Sequence, residues 1–152
     1  LVKDIFVKPK PKPSVKPDPK PSLATTLTQN PKHQLSIKTS DDKRSYPLNK
    51  PIKFYIFSKI KEGYLYVFEQ KKSSYTFLDQ QDLEDCQTIE NKKFCRVENV
   101  WASKPLGKSV VYAVVTKQPL QIDKKHIQKE RLIQQLKSSK IDGVSLRLTV
   151  TP

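Results

Sequence analysis

The sequence has no methionine, only three glycines and two cysteines in 152 residues, and no apolar run near the ~20 residues a membrane-spanning helix needs. Each scarcity removes a class of function. With glycine confined to Gly63, Gly107 and Gly143, there is no phosphate-cradling GxGxxG or GxxxxGK[ST] loop. The nucleophile elbow GxSxG and the zinc-protease motif HExxH are also missing. Cys86 and Cys95 form no CxxC, and His33 and His126 stand at no zinc-finger spacing from them, so neither a zinc site nor thioredoxin-like redox chemistry is expected. The one acidic cluster, Asp79, Asp82, Glu84 and Asp85, lacks the glycine that turns a calcium loop and reads as a solvated acidic loop. No catalytic, cofactor-binding or metal-binding residue is assigned, and the chain is expected not to be an enzyme.

What is present is charge. The formal net charge is +14, enough to attract nucleic acid, anionic lipid or acidic wall polymer. The lysines are spread over the whole chain rather than gathered in one block, which is the distribution of a solvated surface. Cys86 and Cys95 are expected to form a disulfide closing a hairpin, which implies an oxidising compartment: the periplasm or the cell surface. Beginning at Leu1 and lacking methionine, the sequence reads as part of a longer translation product. Any signal peptide or membrane anchor is then expected upstream of Leu1.

Seven of the twelve prolines lie in the first 31 residues. Lys8 to Pro21 alternates lysine and proline, which forbids a helix or a central strand and favours extended polyproline II. Those residues would span on the order of 40 Å. Residues 1–33 are therefore expected to be an extended tether and residues 34–152 a β-rich domain. Within the tether, Ile5-Phe6-Val7 is apolar; an added edge strand, a partner hook and the tail of an upstream domain all fit it.

From Gln34 the pattern is that of strands. Leu35 and Ile37 alternate with polar residues, Pro51–Ser58 is β-branched and aromatic, and Thr39–Asp42 marks a turn between them. In Tyr64-Leu65-Tyr66-Val67-Phe68, Leu65 and Val67 point one way while Tyr64, Tyr66 and Phe68 point the other. Val110–Val115 is an unbroken apolar run suited to a central strand, and Val144 to Thr151 alternates cleanly. Asp79 to Trp101 reads as irregular apart from the cysteine hairpin. Asp123, with the Ile122 and Ile127 staple, predicts a helix over 124–138. The expected fold is mainly β, an antiparallel β-sandwich or a β-sheet packed by one late helix.

Two resemblances add to these readings. The Lys/Pro alternation resembles the periplasmic spacer of TonB-type energy-transducing proteins. The motifs Tyr46-Pro47-Leu48-Asn49-Lys50-Pro51-Ile52-Lys53-Phe54, Glu62-Gly63-Tyr64-Leu65-Tyr66-Val67-Phe68 and Pro105-Leu106-Gly107 through Leu120 resemble bacterial domain-of-unknown-function family 4384. The chain departs from that pattern at Asn49, where the family often has glycine, and at Phe77-Leu78-Asp79. The resemblance implies an envelope-associated accessory β domain with no transferable catalytic residues.

The expected function is that of a tethered, non-enzymatic envelope interaction module with a protein partner, for which a secretion or motility assembly is a fitting setting. The alternative is a basic protein that binds peptidoglycan, another wall polymer or nucleic acid, with no RNP-like motif to favour the last. The candidate contact residues are Tyr64, Tyr66, Phe68, Lys71 and Lys72, beside a sheet edge near Cys86 and Cys95.

Overall fold

The computed structural model describes residues 22–152, which form three layers: two β-sheets face to face, and a helical layer on the outside of one of them. The elements in order are α1 (Leu23–Thr28), β1 (Leu35–Thr39), β2 (Ser45–Pro47), β3 (Pro51–Ser58), β4 (Tyr64–Lys71) and β5 (Ser74–Asp82). A 3-10 turn (Leu83–Asp85) leads to β6 (Gln87–Ile89), β7 (Lys92–Trp101), β8 (Gly107–Thr116), α2 (Lys129–Ser139) and β9 (Lys140–Thr151). The first sheet has the order β1-β3-β7-β6 and the second β2-β9-β8-β4-β5. All pairings are antiparallel except β2 with β9, which is parallel. The expected mainly-β fold with a late helix is thus the fold observed, as a mixed-sheet sandwich.

The two faces of β4 explain the layering. Leu65 and Val67 enter the core between the sheets, with Phe54, Ile56, Val97, Val111, Ala113 and Leu148. Tyr66 and Phe68 enter a second core beneath the helices, with Leu23, Leu27, Val114, Leu132 and Leu136. A strand buried on both faces reads as a continuous apolar run, which is why β4 and β8 stand out in the sequence.

Three expectations need correction. The tether does not extend to residue 33, because Ser22–Gln34 is folded. The Ser22 hydroxyl accepts the Thr25 N–H as an N-cap, and Leu23 and Leu27, one turn apart, are both buried against the second sheet. The Asp142 carboxylate then accepts the N–H groups of Lys32 (2.9 Å) and Gln34 (2.8 Å), pinning the chain as it enters β1. Residues 1–21, including Ile5-Phe6-Val7 and the Lys/Pro run, lie outside the described residues.

The late helix starts at Lys129, five residues after the expected Lys124. Asp123 accepts the Lys125 N–H at 3.0 Å, closing a local turn of its own, and the helix begins after Gln128 without a side-chain cap. Lastly, most of Asp79–Trp101 is regular. β5 continues to Asp82, and β7 is a ten-residue strand. Its alternation breaks because β7 carries an extra residue opposite Ile52–Phe54, with Asn99 at φ 63°. Val97 and Val100 therefore both face the core although they are three apart.

Candidate functional site

The expected contact residues do not form one surface. Tyr66 and Phe68 are fully buried beneath the helical layer, and the Tyr66 hydroxyl accepts the Leu120 N–H at 2.7 Å. They are core residues, since the face they occupy is covered by α1 and α2. Tyr64 is half-buried on the same face. Lys71 belongs to the opposite row of β4 and is buried, whereas Lys72 is exposed in the β4–β5 turn at φ 54°. The disulfide Cys86–Cys95 is formed, with the Cα atoms 5.2 Å apart, and ties the start of the β6–β7 hairpin. The edge strand beside it, β6, is only three residues long, and all three are exposed.

What the structure does bring together lies at the other end of β5. The inward row of β4 runs Leu65, Val67, Glu69, Lys71, and that of β8 runs Ala113, Val111, Ser109. The interior of the sandwich thus changes from apolar to polar toward one end. Glu69 and Lys71 are 3.9 Å apart with both side chains only 10% exposed. Ser109 donates to Glu69 at 3.3 Å, and Lys71 donates to the Ser103 hydroxyl at 3.0 Å and to the Ser103 carbonyl. Burial raises the Glu69 carboxyl above its ordinary range, and the neighbouring ammonium and hydroxyl oppose that shift. Among the described residues no fully buried side-chain nitrogen or oxygen lacks a hydrogen-bond partner. Its evident action is to fasten the loop after β7 to β4.

Outside this floor the two sheets part. Near Gln81 the edges of β5 and β7 are bridged, the Gln81 amide donating to the Arg96 carbonyl at 2.6 Å. Toward Phe77 and Asn99 they diverge and enclose a cleft of about 450 Å³. Thr76 and Leu78 of β5 form one wall, with the Phe77 ring between them turned to Phe68 on the helical side; Val100, Trp101 and Pro105 form the other wall. Trp101, the only tryptophan, is 55% exposed on the rim. Lys72 and Lys104 also line the cleft, and neither is in an ion pair among the described residues. The lining is mixed, polar and charged residues outnumbering apolar ones, and Trp101 is its exposed aromatic group. The sequence signal was Trp101 itself, but its direction depends on the extra residue in β7.

Two other features are less informative. A larger cleft of about 630 Å³ lies between Leu23, Tyr75 and Ile133. Lys124, Lys125, Lys129, Arg131 and Lys137 are exposed along and before α2. Among the described residues no three His, Cys, Asp or Glu side chains gather as a metal site, and no helix is long and apolar enough to cross a membrane.

No protein-family model matches this chain, and no curated protein does. The resemblance to domain-of-unknown-function family 4384 therefore rests on the short motifs at Tyr46–Phe54, Glu62–Phe68 and Pro105–Leu120 alone.

Proposed function

We propose that this chain is a non-enzymatic interaction module of a bacterial cell envelope, exported to the periplasm or surface, which binds another envelope component through the cleft between β5 and β7. The observation that carries this reading is the exposed Trp101 beside the parted sheets. A large aromatic side chain held on a rigid strand is the kind of residue that dominates binding energy at interfaces. The Cys86–Cys95 disulfide supports an oxidising compartment, and the family 4384 motifs agree with an accessory β domain. The test is a photo-crosslinking amino acid at Thr76, in cells that make the full chain. Recovery of one discrete partner from Thr76, lost on Trp101→Ala, is the expected result. Equal recovery with and without Trp101 would remove the cleft from the function.

The exposed basic residues along and before α2 favour a second reading, binding to a polyanion such as wall polymer or nucleic acid. Counterion release would make that binding fall steeply with salt, and it would depend on Lys124, Lys125 and Lys129 instead of Trp101.

A further inference from the structure

Resting on the cleft reading above, we infer that the cleft takes an extended, acidic peptide segment of a partner protein, added as a strand to the free edge of β5. Three observations carry this. First, β5 closes the second sheet: it pairs with β4 only, and among the described residues no strand lies on its other side. A row of backbone N–H and C=O groups without a ladder partner is a template for a further strand. At the Gln81 end the bond to Arg96 occupies that margin, so the open stretch runs from Ser74 to Leu78.

Second, the open stretch faces a wall that suits alternate side chains. Residues of an added strand point to opposite faces in turn, so every second one would enter the cleft between Leu78 and Val100 or meet the Trp101 ring. Third, the charge is one-sided. Glu69 is already matched by Lys71 on the floor, whereas Lys72 and Lys104 at the rim have no carboxylate. The full chain's net charge of +14 has the same sign. An acidic segment satisfies both, and a saccharide would use the tryptophan but neither the lysines nor the strand edge.

The experiment uses the full chain and a fluorescein-labelled heptapeptide, Glu-Val-Glu-Phe-Glu-Val-Glu, followed by anisotropy and by the emission of the sole tryptophan. Saturable binding with a blue shift of Trp101 emission is expected. N-methylation of one alternate set of peptide amides should weaken binding at least ten-fold, and methylation of the other set should not, because a strand presents only every second N–H to its neighbour. Replacing glutamate by lysine in the peptide, or Trp101→Ala in the protein, should each cost at least ten-fold. The peptide arms do not depend on any variant folding. Equal tolerance of both methylation patterns, or no binding of the acidic peptide, overturns strand addition. If chitotetraose instead shifts Trp101 emission, strand addition fails and the cleft reading survives. If Trp101→Ala leaves the Thr76 crosslink in cells unchanged, the cleft reading fails as well.

Discussion

Asp142 and Gly143 stand side by side on β9 and act on the same neighbour, the segment that opens with α1. Asp142 is 1% exposed and accepts the N–H groups of Lys32, Gln34 and Gly143, so Asp142→Asn should cost about 1–3 kcal/mol by leaving a buried donor without its acceptor. At Gly143 the constraint is space. A Cβ there would overlap the backbone carbonyl of Leu27, and Gly143→Ala should cost about 1–3 kcal/mol or unseat α1. Urea midpoints of the two variants check both values. Glu69 gives the pH-dependent case. Its folded-state value is raised above the ordinary 4.5, so the folded protein holds that proton more tightly than the unfolded chain. The favourable contribution is complete below 4.5 and is lost as pH rises through the folded value. Glu69→Gln keeps an acceptor for Ser109 and removes the titration. The stability of wild type relative to this variant should therefore fall as pH is raised from 4 through that window, as measured by denaturant midpoints across a pH series. A rise would contradict the assignment.

At the scale of elements, the sequence was most legible where alternation is unbroken. The opposed rows of β4 and the buried run of β8 are visible in their residues because a strand has only two faces. The identity of the cover is not visible: Tyr66 and Phe68 share a face with Tyr64, but only the placement of α1 and α2 makes that face a core. α1 itself was hidden by its proline-rich surroundings, although Ser22 and the Leu23–Leu27 spacing carried its signal. β7 was hidden by its extra residue, and with it the direction of Trp101. The Cys86–Cys95 bridge was legible from spacing. Replacing both cysteines by serine should cost about 2–3 kcal/mol, since the bridge closes a loop of about ten residues. Guanidinium unfolding of the variant, set against wild type with and without reductant, measures that loss.

For the molecule as a whole, the helical layer decides where the foldable unit begins. A version starting at Gln34 lacks α1 and uncovers part of the face that holds Tyr66, Phe68 and Tyr112. Set against the full chain, it should bind more of a hydrophobic dye such as ANS and lose cooperative thermal unfolding. Sequence reasoning reached the sandwich and the disulfide and missed the cleft, because a gap between strands of two different sheets is a property of their relative placement. β9 carries a consequence in time. It lies between β2 and β8, and its Asp142 holds the backbone at Lys32 and Gln34, more than a hundred residues earlier. A chain emerging from the ribosome therefore cannot complete the second sheet until residues 140–151 are free, although β4, β5 and β8 can pair before then. Until β9 is in place, the edge of β8 that it covers stays open to any other strand, so the last described strand is also the one that closes the fold against mispairing.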